Sequence, residues 1–157
     1  MILIEENFLS ENDIEFILTQ WNNYTTQVSN YPVHFHLLDF NKNKINLSSV
    51  RDGFFTNKFE KIRLQRYDEN LNQVESYHGH KNAHNYVLFL NDGFQGGELE
   101  FENGVSVKPK KSTLVYFNNN ERHRVLPCIG ERWTFVLCSD YYYDLNINYS
   151  NTQKSLF

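Results

Sequence analysis

Tyr77-His78-Gly79-His80, followed by Tyr86-Val-Leu-Phe-Leu90 and Gly96-Gly97-Glu98-Leu99-Glu100-Phe101, is the stretch on which the fold turns. Its apolar runs are short and bounded by Gly, Asn and Asp, as strands are and helices are not. The same texture extends on both sides. From Lys61 onward the alternation predicts strands at 61–67, 73–79, 85–90, 98–102, 105–108, 113–117, 123–127 and 132–139. Asn103-Gly104, between Phe101 and Val105, is a hairpin signal because this pair readily adopts the positive φ angles of a type I′ turn. Even spacing of so many short strands predicts an all-β core: a sandwich, a jelly roll or a barrel.

Upstream the pattern changes. Residues 11–22 predict one helix, with Ser10 and Asp13 as a capping pair and Ile14, Ile17, Leu18 and Trp21 at helical spacing. Residues 24–60 allow a strand around Phe35 and Leu37 and a second helix around 47–58. The chain has 157 residues, 40% of them hydrophobic and 16% aromatic, which predicts one domain (1–157) with a core large enough to need no disulfide or structural metal. A metal site would therefore point to function. The net charge of −4 supplies no basic field for general nucleic-acid binding. No apolar run is long enough to span a membrane, and the opening residues do not read as a secretory signal, so a cytoplasmic location is expected. Cys128 and Cys138 are then expected as buried free thiols.

Histidines stand at 34, 36, 78, 80, 84 and 123. On a strand, residues two apart share a face, so His78 and His80 can reach one metal ion together, with His123 the natural third ligand from a distant strand. His34 and His36 make the same pattern without a supporting partner, and exposed strand histidines are the simpler reading for them. Lys108, Lys110 and Lys111 read as a solvated loop. Gly96 and Gly97 read as a bend or a close backbone approach.

The order of these features, from Tyr67 through His78, Phe89-Leu90-Asn91, Gly96 to Phe101, Pro109, Leu114-Val-Tyr-Phe117, His123 and Arg132, resembles the Fe(II)/2-oxoglutarate-dependent dioxygenases of the prolyl 4-hydroxylase type. The resemblance covers residues 61–140. Met1 to Trp21 is similar to the family's opening, a short strand followed by a helix. It implies a double-stranded β-helix (jelly-roll) core at 61–140 with a flanking N-terminal helix. It further implies Fe(II) on His78 and His123, Arg132 paired with the distal carboxylate of 2-oxoglutarate, Tyr67 donating to the same group, and O2 and an unidentified substrate, a protein prolyl residue or a small molecule, as partners. Residues 24–60 and the loop 68–76 would border the mouth, with Tyr31, Phe35, Phe54 and Phe55 as lining candidates, although core packing is the simpler use for most of them. A planar guanidinium matched to a carboxylate supports the role of Arg132 independently.

One departure is sharp. Where the family carries Asp two residues after the first His, this chain has His80. Three neutral imidazoles leave the metal its full double charge, which favours capture of a dianionic cosubstrate and disfavours oxidation of the metal. Metal occupancy is then expected to fall in mild acid, since no carboxylate holds on. A frame using His80 and Asn82 would leave a longer gap after Tyr67. Glu75, placed by alternation on the face opposite His78, is expected to be no substitute. His78-x-His80-x3-His84 with His123 is also similar to the cupins, with His84 where cupins usually place Glu; that reading gives a His-ligated metalloenzyme without 2-oxoglutarate. A jelly-roll binding module with a decayed site is the non-enzymatic alternative.

Overall fold

Alternating apolar residues fold the chain into one large antiparallel sheet with a covering layer on each face. The computed structural model describes residues 1–29, 34–67 and 74–145. In chain order its elements are β1 (Ile2–Glu5), α1 (Glu11–Thr19), β2 (Gln27–Ser29), β3 (Phe35–Asp39), β4 (Lys61–Tyr67), β5 (His84–Phe89), β6 (Gln95–Gly96), β7 (Leu99–Phe101), β8 (Ser106–Val107), β9 (Leu114–Asn118), β10 (His123–Val125), β11 (Cys128–Ile129) and β12 (Arg132–Ser139). The large sheet runs β1-β9-β5-β12-β4-β3-β2, and two small ladders, β10-β7-β8 and β11-β6, complete the jelly roll.

Successive side chains on a strand point to opposite faces. On the outer face, Ile62 and Leu64 of β4, Tyr86 and Leu88 of β5 and Phe135 and Leu137 of β12 are buried in one cluster with Ile14 and Ile17 of α1 and with Phe54 and Phe55. The helix starts where expected, because the Ser10 Oγ accepts the Asp13 N–H at 3.1 Å. It ends in a 3₁₀ turn at Gln20–Asn22. On the inner face, Val87, Phe89, Val115 and Phe117 pack against Leu99, Phe101 and Val107 of the small sheet. A second inner cluster joins Phe35, Leu37 and Tyr67 to Val125 and Cys128. The site lies between these two inner clusters.

Three expectations need correction. The described part of 73–79 is not a strand: only His78 pairs, in an isolated bridge to His123. The expected second helix is a 3₁₀ turn, Arg51–Thr56, broken by positive φ at Asp52 and Gly53. That turn sends Phe54 and Phe55 into the outer core, away from the mouth. The strand expected at 123–127 stops at Val125, and the chain continues into the short strand β11, paired with β6, before turning at Gly130, whose φ is +104°. Cys128 and Cys138 are free and buried, as expected.

Candidate metal and cosubstrate site

The backbone itself sets the first two rings side by side. His78 and His123 exchange both main-chain hydrogen bonds, at 3.0 and 2.9 Å, and their ring centroids are 4.6 Å apart. His80 then folds over, its Nε2 3.1 Å from Nε2 of His123. One ligand atom from each of His78, His80 and His123 lies within 4.8 Å of the others. Imidazoles bound at about 2.1 Å in adjacent positions of one ion stand about 3 Å apart, so the His80–His123 spacing fits a shared metal. Burial lowers the pKa of His80 to about 4 and that of His123 to about 3, with neighbouring positive charge adding to the effect. Both rings are therefore neutral at pH 7 and offer lone pairs. Nδ1 of His78 lies 3.0 Å from the Ser76 carbonyl, a contact that takes the ring N–H and leaves Nε2 as the donor to a metal. This donor set fits Fe(II), and equally Zn, Ni or Cu.

Side chains, not a ladder, hold the segment 74–80 in place. The Tyr77 hydroxyl donates to Glu100 at 2.6 Å, the Arg124 guanidinium bonds the same carboxylate and stacks 4.2 Å over the Tyr77 ring, and Arg122 donates to the Tyr77 carbonyl at 2.7 Å. Tyr77, between β7 and β10, thus anchors the residue next to His78.

Arg132 begins β12 opposite Tyr67 and is only 1% exposed. Its Nε donates to the Gly97 carbonyl at 2.9 Å, and its plane rests near the Tyr67 and Phe89 rings. Burial works against its charge, which Tyr67, Cys128 and the Glu75 and Glu98 carboxylates favour. Nη2 of Arg132 is buried with no hydrogen-bond partner. Arg132 and Tyr67 line the same cavity as the three histidines, a space of about 270 Å³. A buried guanidinium donor lacking an acceptor, facing a cavity, fits the carboxylate of an organic acid. Gly96 and Gly97 make this possible by close approach: a Cβ at Gly96 would lie 2.1 Å from the Pro127 carbonyl, and one at Gly97 would lie 3.0 Å from Cδ of Arg132.

Glu75 is where sequence reasoning went wrong. It is 4% exposed, lines the cavity, accepts the Val125 N–H at 3.1 Å and lies 3.8 Å from Nδ1 of His78. It does not lie opposite His78, as alternation had placed it, because 74–80 is not a regular strand. Burial raises its pKa, against the pull of the Val125 N–H, His78 and Arg132. It stands behind His78 and is not one of the three clustered ligands. His84 is turned to the outer face, where its Nδ1 meets the Tyr116 hydroxyl at 2.6 Å; the cupin frame loses its fourth ligand. Asn82 bonds Asp140 instead. His34 and His36 contact each other, outside the metal-ready group. Lys110 and Lys111 make exposed ion pairs with Glu6 and Glu11. Phe35 lines the cavity, and Tyr31 lies outside the described residues. The inward-facing Lys61, Arg63 and Gln65 were missed. Alternation on β4 could have found them, since they share a face with Tyr67.

A family model described as "2OG-Fe(II) oxygenase superfamily" matches residues 54–138. The chain belongs to this superfamily. Among solved structures it is similar to a 2OG-Fe(II) oxygenase family oxidoreductase from Burkholderia pseudomallei, at 13% identity, TM-score 0.72, covering 89% of this chain and 86% of that one. It is also similar to a Pseudomonas putida prolyl-4-hydroxylase, at 16% identity and TM-score 0.65, covering 90% and 93%. A third similar structure is a Trichoplax adhaerens prolyl hydroxylase in complex with a hypoxia inducible factor oxygen degradation domain peptide fragment, at 16% identity and TM-score 0.67, covering 87% and 82%. Comparison with curated protein sequences gives no match. At these identities the structural likeness establishes the shared jelly-roll fold.

Proposed function

We propose that this chain is a working Fe(II)- and 2-oxoglutarate-dependent oxygenase that hydroxylates a C–H bond, with His78, His80 and His123 holding the metal and Arg132 and Tyr67 the cosubstrate. The observation that carries the reading is the pairing, in one cavity, of three clustered imidazoles with a buried guanidinium donor that has no partner. Bound there, Fe(II) would supply the O2 chemistry by which 2-oxoglutarate, O2 and a C–H bond give succinate, CO2 and an alcohol.

The chain's own residues bind and orient. Arg132, aimed by the Gly97 carbonyl, pairs with the distal carboxylate of 2-oxoglutarate, and the Tyr67 hydroxyl donates beside it. Phe35, stacked on Tyr67 at 5.1 Å, keeps water from that end of the cavity. The substitution of the family's Asp by His80 leaves the site without a ligand carboxylate, which strengthens its hold on a dianion. Two of the structural neighbours are prolyl hydroxylases, so a protein prolyl residue is one candidate substrate. Two buried free thiols suit a reducing, cytoplasmic setting.

Anaerobic titration of the chain with Fe(II) and then 2-oxoglutarate tests the reading. It predicts a visible absorption band that appears only with both, a metal-dependent rise in melting temperature, and succinate on admitting air. A melting temperature indifferent to metal identifies a decayed binding module instead; metal binding without the cosubstrate band identifies a cupin-like metalloprotein.

A further inference from the structure

The cavity has a second cationic end that the cosubstrate does not use. On β4 the cavity-facing residues are Lys61, Arg63, Gln65 and Tyr67. In the ladder these lie opposite Cys138, Val136, Thr134 and Arg132 of β12. At roughly 3.3 Å per residue, Arg63 and Lys61 sit about 13 and 20 Å along the strand from Tyr67. The cosubstrate guanidinium thus marks one end of the floor and two further cations mark the other. The three histidine rings line the same cavity as both ends.

Lys61 and Arg63 are half-buried, and a cation drawn part-way out of water is stabilised by a counter-charge. Among the described residues none is in place. No carboxylate lies within ion-pair distance of either side chain, and Nε of Arg63 is buried without a hydrogen-bond partner. Asp39 is opposite Arg63 in the β3–β4 ladder, but its Oδ1 accepts the Lys42 N–H at 2.9 Å and it forms no ion pair with Arg63. Cys138, opposite Lys61, is no counter-ion, because burial pushes its thiol up to about 11. Among the described residues, the cavity lining sets Lys61, Arg63 and Arg132 against the single carboxylate of Glu75.

We infer that the primary substrate carries an anionic group, a carboxylate or a phosphate, which docks on Lys61 and Arg63 across the metal centre from Arg132, so that the bond to be oxidised is held over His80. This rests on the oxygenase reading above and adds the substrate's charge and orientation to it. It favours a small acid or an acidic residue over a neutral prolyl side chain.

The test titrates the Fe(II)-loaded chain, kept anaerobic and saturated with 2-oxoglutarate, with propionate, with methylphosphonate and with neutral propionamide, by calorimetry. One or both anions should bind at least tenfold better than propionamide. Arg63→Met and Lys61→Met should each remove most of that preference, while Arg63→Lys restores part of it and shows that a charge, not the fold, was lost. Preference for propionate identifies a carboxylate substrate; preference for methylphosphonate identifies a phosphate. Equal binding of all three probes, or anion binding unchanged in Arg63→Met and Lys61→Met, overturns the inference. Failure of 2-oxoglutarate to bind is a separate result that removes the oxygenase reading. Repeating the anion titration in Arg132→Met then shows whether the Arg63 end binds anions on its own or does not.

Discussion

The two faces of β4 and β12 are built from alternate residues of the same strands, yet they do opposite things. Outward, Ile62, Leu64, Phe135 and Leu137 are sealed under α1 and the 3₁₀ turn. Inward, Lys61, Arg63, Gln65, Arg132 and Thr134 surround a cavity, with buried donors on Arg63 and Arg132 and the Thr134 hydroxyl lacking partners. The outer face supplies stability through apolar burial, and the inner face draws on it to keep polar groups dehydrated and ready. Sheet architecture allows this division because a single strand serves both layers.

Substitutions on the two faces should therefore separate stability from binding. The largest effect belongs to Phe135→Ala. Phe135 is fully buried and meets Phe40 and Phe55 edge-on at 5.0 and 5.5 Å. Its removal should lower unfolding stability by about 3–5 kcal/mol in urea denaturation, because the cavity left behind adds to the lost burial. Arg132→Met should do the reverse, weakening 2-oxoglutarate binding on the order of 100-fold by titration of the visible band while shifting the melting temperature far less than Phe135→Ala. Equal losses of stability from the two would break the comparison.

His80→Asp sharpens it within the inner face. With one unit less positive charge at the metal, 2-oxoglutarate should bind roughly tenfold more weakly, with metal affinity retained. Unchanged cosubstrate affinity would show that the third imidazole has no electrostatic role.

A further comparison concerns pH and the metal-free chain. The folded pKa values of His80 and His123, about 4 and about 3, lie below the unfolded value of about 6.5. Between those limits the unfolded chain binds more protons, so stability is full above pH 6.5 and falls as the pH drops toward 3–4. Denaturation midpoints at pH 7 and pH 5 should differ in that direction, and His123→Gln should flatten the slope.

Much of this was legible in the residues. β4, β5, β9 and β12 announce themselves by apolar alternation, and the capping serine announces the helix. The meeting of His78, His80, His123 and Arg132 in one cavity was legible because ligand chemistry restricts residue type and spacing. Glu75 was not, since its direction comes from a segment held by Tyr77, Arg122 and Arg124 rather than by a ladder, where alternation has no force. β2, β6 and β11 escaped notice because two- or three-residue strands carry no period to read. Lys61 and Arg63 were overlooked for a different reason: cations on a strand read as solvent-facing until Tyr67, two and three positions further along the same face, is taken as cavity-lining.

The grip of Gly97 on Arg132 has a consequence for how the protein can change. The group that aims the guanidinium is a main-chain carbonyl, and no side-chain replacement can delete it. Variation at position 97 can only add bulk, and the first carbon added already collides with the arginine. Under the proposed function, cosubstrate recognition is thereby insulated from drift in the surrounding side chains, and the opposite end of the cavity is the part free to diverge toward new substrates.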